Sequence, residues 1–117
     1  MYLRHERDGD VRTLAGTVDT ADSTLAQARG LMFRRSIPDD YALVFPFGDA
    51  GVRDAHMVFV PFDIDAIWIA DDVVQGVERL SAWIGHGGHV ADTVVELPAG
   101  AADGVTPGDR VVVEDDI

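Results

Sequence analysis

The stretch Ile64-Asp65-Ala66-Ile67-Trp68-Ile69-Ala70-Asp71-Asp72-Val73-Val74-Gln75-Gly76-Val77-Glu78-Arg79-Leu80 decides the fold class. Two runs rich in Val and Ile stand on either side of Asp71-Asp72. β-branched side chains lose freedom in a helix and pack well on a pleated surface, while Asp favours turns, so the stretch reads as strand, turn, strand. The pattern recurs in both directions along the chain. Residues 2–7 and 11–18 flank Asp8-Gly9-Asp10, a hairpin turn in which Gly9 takes positive φ without strain. Residues 41–47 and 53–60 flank a turn at 48–52, and 93–97 and 110–114 flank a Gly/Ala/Pro-rich connection ending in Pro107-Gly108-Asp109. Valine is the commonest apolar residue, with 16 copies, and seven or eight such extended runs are counted.

One segment alone argues for helix. In residues 22–29, Ser23 or Thr24 can cap the first free amides, and Ala26, Gln27 and Ala28 favour helix. Gly30 sits where a left-handed residue would end it. About two turns are unstable alone in water, so the helix is expected to dock through Leu25, Leu31 and Met32. Many short strands with one short helix near residues 22–30 predict a mainly β fold: an antiparallel β-sandwich or a partly open, jelly-roll-like barrel. A single domain over residues 1–117 is expected, since 117 residues at 47 % apolar content suit one core.

Composition excludes several chemistries. There is no cysteine, so thiolate zinc sites, iron–sulfur clusters, thiol nucleophiles and redox dithiols are ruled out. No apolar run approaches the roughly 20 residues of a membrane span, and Arg4, Glu6, Arg7 and Asp8 interrupt any signal-like start. A cytoplasmic protein with no membrane role is expected. The charge is more specific. Twenty-one acids face nine bases for a net charge of −12, all nine bases are Arg, and Asp outnumbers Glu 17 to 4. Such self-repulsion opposes folding in dilute buffer, yet at molar salt the Debye length falls to about 3 Å and the carboxylates still hold water at the surface. The expectation is an extreme halophile's salt-rich cytoplasm. Nucleic acid is an unfavourable partner, because phosphate recognition needs a clustered basic face and the nearest approach to one is the pair Arg34-Arg35.

Three separated stretches carry a family resemblance. They are Arg29-Gly30-Leu31-Met32-Phe33-Arg34, His56-Met57-Val58-Phe59-Val60-Pro61-Phe62-Asp63-Ile64-Asp65, and Val95-Glu96-Leu97-Pro98-Ala99-Gly100 followed by Pro107-Gly108-Asp109. In this order and spacing they resemble the uncharacterised family called domain of unknown function 192, over about residues 11–114, and the acidic, Lys-free composition leads to the expectation of a haloarchaeal-type member. The resemblance implies a mainly antiparallel β-domain with a short helix; it implies no reaction and no ligand.

Arg29 and Glu96 lie in those motifs with opposite charges. Docking of the helix end near residues 93–97 would form a bidentate pair, leave Arg29 to hold a carboxylate ligand, or leave both as ordinary surface charges. His56, Asp63 and Asp65 are the other polar candidates. Alternation on residues 53–60 puts His56 on the face of Asp54 and Val58, and Met57 on the apolar face with Ala55 and Phe59. A carboxylate beside His56 would make a general-base dyad, or two Asp and one His would suit a divalent cation; equally, these Asp residues serve as turn and strand-edge residues. His86-Gly87-Gly88-His89 reads as a mobile loop, since two glycines oppose a helix that would align the imidazoles. No P-loop or serine elbow occurs: Gly100, Gly104 and Gly108 lack the spacing, and neither Ser36 nor Ser81 has the flanking pattern. Trp68, Trp83, Phe45, Phe47, Phe59 and Phe62 form the core or line an apolar pocket.

These readings converge on an uncharacterised small β-domain that binds a small molecule or a protein. Its site is expected near Arg29, Met32, His56, Met57, Asp65 and Glu96. No metal or cofactor is assigned. The alternative is a small hydrolase or lyase in which His56 with Asp65 acts as base and Arg29 holds an anionic substrate. A third reading, a contact between subunits, predicts an exposed apolar patch.

Overall fold

A computed structural model describes residues 1–115 of the chain. Eight strands and one helix follow in the order β1 (Tyr2–Arg7), β2 (Asp10–Ala15), β3 (Thr17–Thr20), α1 (Thr24–Arg29), β4 (Tyr41–His56), β5 (Ile64–Ala70), β6 (Val73–Leu80), β7 (His86–Pro98) and β8 (Arg110–Glu114). The strands make one sheet ordered β2-β1-β8-β6-β5-β7-β4-β3. Its two edge strands, β2 and β3, are consecutive in sequence with only Gly16 between them. The sheet therefore curls until its edges share one corner without closing, the mainly β architecture expected as a β-sandwich or partly open barrel. All neighbours are antiparallel except β3 and β4.

The expected strand at 11–18 breaks at Gly16, and Thr17 instead starts a parallel pairing with Tyr41. The expected turn at 48–52 is not one. β4 continues through it as a single strand and keeps β7 as its partner on both sides of an irregularity between Pro46 and Gly51. Pro46 lacks an amide proton and Gly48 has φ +88°, which accounts for a bulge where a reversal is expected. At its far end the strand stops at His56, and Met57 to Val60 closes a turn through a hydrogen bond from the Val60 amide to the Met57 carbonyl.

The expected mobile loop at 86–89 is likewise strand, with His86 opposite His56 and Gly87 opposite Ala55. The glycines make this possible by leaving room for side chains. A Cβ on Gly76 would lie 2.6 Å from the His89 ring, and one on Gly87 would lie 2.5 Å from Glu78 Oε2. His89 occupies the space over Gly76, with its ring 4.8 Å from Trp68 and Nε2 2.9 Å from Glu78 Oε2.

β5 is buried along both faces, which is why its sequence does not alternate. Ile67 and Ile69 point into the barrel with Ala42, Val44, Val95, Leu97 and Leu3. Ile64, Ala66 and Trp68 point outward, where Leu43, Phe45 and Val94 join them beneath Leu31, Met57 and Val60. The helix supplies little to this second core. Ser23 caps it by accepting from the Ala26 amide at 3.1 Å, yet none of its residues is fully buried and Leu25 is 82 % exposed, against expectation. Leu31, just after the Gly30 cap, does the docking at 1 % exposure, with Ala26 and Met32 packed beside it.

Candidate functional site

The outer core is open along one seam. Between α1 and the outward faces of β4 and β7 lies a cleft of about 260 Å³. Gln27, Arg29, Leu31 and Met32 form one wall; Phe45, Phe47, Asp54 and His56 of β4 form the other. Val94 and Glu96 of β7 are the floor.

Glu96 is placed by strand register, opposite Leu43 of β4 and Ala66 of β5, so its side chain leaves the sheet on the outer face beneath Gly30. It is 7 % exposed. Among the described residues no group donates a hydrogen bond to its carboxyl and no cation forms an ion pair with it. Burial pushes its pKa up to about 7, offset only in part by the positive charge of Arg34. That guanidinium is committed elsewhere: Nη1 donates to the Tyr41 hydroxyl at 2.9 Å, which donates to Asp19 Oδ2 at 2.9 Å. Burial raises the Tyr41 pKa as well.

Four of the expected site residues, Arg29, Met32, His56 and Glu96, line this cleft together. Arg29 and Glu96 form no ion pair; Arg29 is exposed at the mouth. The exposed His56 accepts from the Val58 amide through Nδ1 at 3.3 Å, which leaves Nε2 to carry the proton in the neutral ring. Met57 is fully buried and lies beneath the site as packing, but it sits past the end of β4, where strand alternation no longer applies, and Phe59, expected beside it on the apolar face, is 50 % exposed.

Asp65 is not brought to His56. It sits on the barrel face of β5, 3 % exposed, and its acceptors are occupied. Oδ1 takes Arg79 Nε at 2.7 Å, while Oδ2 takes the amides of Gly100 at 2.9 Å and Ala102 at 3.0 Å. The carboxylate thus ties the loop after β7 to the sheet, and no His56–Asp65 dyad forms. Asp63 is a turn residue that accepts from the Ala82 amide at 2.8 Å. Among the described residues no group of three or more His, Asp or Glu is disposed to hold a metal ion.

Two further features escape sequence reading. His5, 4 % exposed, accepts from Arg12 Nε through Nδ1 at 2.9 Å and so donates from Nε2 to Asp109 Oδ2 at 2.8 Å. For Asp109, desolvation is outweighed by bonds from His5 and Thr106, which hold its pKa below the usual carboxylate value. Both ring nitrogens are occupied, so this chain of groups fastens β1 to the 98–109 loop. Its members lie 104 residues apart, and no local signal marks them. The second feature is aromatic. Phe33, Phe59 and Trp83 have positive φ of 69°, 58° and 70° and are exposed. The Phe33 and Phe59 rings stack at 5.0 Å. Phe59 and Trp83, expected in the core or at an apolar pocket, are thus surface residues, whereas Trp68 is in the core, Phe62 packs against it, and Phe45 and Phe47 line the cleft.

Comparison with known proteins supplies a fold and a family. Residues 4–113 match the DUF192 family, described as "Uncharacterized ACR". A crystal structure from Sinorhizobium meliloti 1021, of a protein named provisionally as a transcription regulator, is similar with a TM-score of 0.81 and 27 % identity over 95 % of this chain and 91 % of that one. A protein of unknown function from Novosphingobium aromaticivorans DSM 12444 has a TM-score of 0.79 at 21 % identity, over 97 % of this chain and 84 % of the other. No curated protein matches the chain.

Proposed function

The chain belongs to the DUF192 family, whose description carries no reaction, and on that premise we propose that it is a small-molecule-binding module whose site is the cleft between α1 and the β4–β7 pair. The observation that carries this reading is Glu96. It is 7 % exposed and its side chain finds no partner among the described residues, while its carboxyl oxygens keep contact with the cleft, so any hydrogen bond they make comes from what fills it. Here the unpartnered carboxyl lies at the floor of a cleft whose apolar lining, Phe45, Leu31, Met32 and Val94 among it, is joined by the polar side chains of Gln27, Arg29, Asp54 and His56. A few polar groups converging in an apolar hollow are what ligand sites share. A donor brought by a ligand would complete the hydrogen bonding that the protein leaves open.

The hydrolase or lyase alternative loses the support of Asp65, since that carboxylate is bound to Arg79 and two amides. A role like the one in the name of the Sinorhizobium meliloti protein would require a basic face. This chain has a net charge of −12, and Arg4, Arg7, Arg53, Arg79 and Arg110 are each within 4 Å of a carboxylate. That charge and the absence of Lys support a working environment of molar salt, the cytoplasm of an extreme halophile.

The test is an amide-resolved NMR screen of a chemically diverse fragment library in 2 M KCl. Shifts clustering at Gly30, Leu31, His56 and Glu96 are expected from at least one fragment. Hits confined to other surfaces, or a library with none, would remove the cleft as the site.

A further inference from the structure

We infer that the group this cleft accepts is a protonated nitrogen, an organic ammonium ion whose N–H bonds end on Glu96 while its apolar body lies against Leu31, Phe45 and Val60. The inference rests on the small-molecule-binding reading above and deepens it by naming the ligand class.

The ionised carboxylate of Glu96 is acceptor-only and has room for two or more donors. The protein offers it none, although two guanidinium groups are near: Arg34 bonds to Tyr41, and Arg29 stands exposed at the mouth. A charge-assisted N–H bond is the strongest single contact this floor can make. The charged groups on the other sides of the site favour the same class. Facing the cleft are Arg29 from α1, Asp54 and His56 from β4, and Glu96 from β7; Arg34 acts from the segment after α1, and Asp65 of β5 points to the opposite face. An anionic ligand held by Arg29 would lie in a site shared with the carboxyls of Asp54 and Glu96. A cation is drawn by both carboxyls, and its body finds the Phe45 ring, while one face of Phe47 is stacked under the Arg53 guanidinium 4.4 Å from its centroid. A neutral alcohol would satisfy Glu96 only in part.

Three probes with one carbon skeleton separate these cases: 3-phenylpropylamine, 3-phenylpropanol and 3-phenylpropanoate, titrated in 2 M KCl so that surface charge is screened. The amine is expected to shift the Gly30 and Glu96 amides and to bind more tightly than the other two. Because Glu96 titrates near 7, its ionised fraction rises from about a tenth at pH 6 to about nine tenths at pH 8, so amine affinity should rise about tenfold over that range. Glu96→Gln, which keeps size and shape, should weaken the amine at least tenfold at pH 8 and leave the alcohol unchanged. Equal binding of amine and alcohol, or an amine indifferent to both pH and Glu96→Gln, overturns the ammonium inference and leaves the binding reading intact. Silence from all three probes with a hit in the broader library has the same meaning. Silence in both experiments removes both readings.

Discussion

Gly30 closes over Glu96: a Cβ placed on Gly30 would lie 3.6 Å from Glu96 Oε1 and 3.3 Å from Phe45 Cζ. The helix cap and the floor of the cleft are thus one local structure. Gly30 has φ +50° and ψ −126°, a conformation that L side chains rarely adopt. Gly30→Ala is expected to cost about 2 kcal/mol in denaturant unfolding and to weaken any cleft ligand. A loss below about 0.5 kcal/mol would mean that α1 ends without needing this geometry.

Glu96 should make stability fall as pH rises. Its folded pKa of about 7 stands above the ordinary 4.5, so the unfolded chain ionises first and ionisation drains the folded state. The contribution is fully present below about 4.5, is lost progressively up to about 7, and amounts to about 3 kcal/mol. Other carboxyls, Asp109 among them, act in the opposite direction at low pH, so the measurement is the difference between wild type and Glu96→Gln. That difference should grow in favour of the variant from pH 5 to pH 8; a flat difference would place Glu96 in contact with water or a fixed donor.

Asp65 is a structural carboxylate, and its removal should show as instability. Asp65→Ala deprives the Gly100 and Ala102 amides of their acceptor and is expected to cost about 3 kcal/mol. Fragment binding at the cleft, measured in salt where the variant remains folded, should not change. Loss of binding with full stability would return Asp65 to the site.

The net charge of −12 predicts a stability that depends on salt. The melting temperature should climb between 0.1 M and 2 M KCl as repulsion among the carboxylates is screened. A level curve over that range would remove the halophilic reading and leave an acidic protein of ordinary habitat.

The candidate site was legible in part. Arg29 and Glu96 stood out because opposite charges recur in motifs beside a helix end and a strand, and the cleft does unite Arg29, Met32, His56 and Glu96. That Arg29 and Glu96 do not pair was not legible, because a side chain's partner depends on which groups burial leaves within reach. Asp65 shows the limit more sharply. Alternation puts it on one face or the other of β5, yet both faces of that strand are buried, and pattern alone does not say which faces the cleft. The His86–His89 segment differs for a related reason: its glycines look like flexibility, but each clears space for a neighbour's side chain, Gly87 for Glu78 and Gly88 for Asp54.

The sequence by itself determined the strand-rich character, the capped helix ending at Gly30, and the acidic surface, because rotamer preference, backbone permissiveness and net charge are properties of residues or near neighbours. Only the tertiary structure decided that the sheet curls through the Gly16 corner, that β4 and β7 run unbroken past Pro46 and Gly88, and that Glu96 is buried without a partner. Those outcomes depend on contacts between distant parts of the chain, where register and burial choose among local conformations of nearly equal energy.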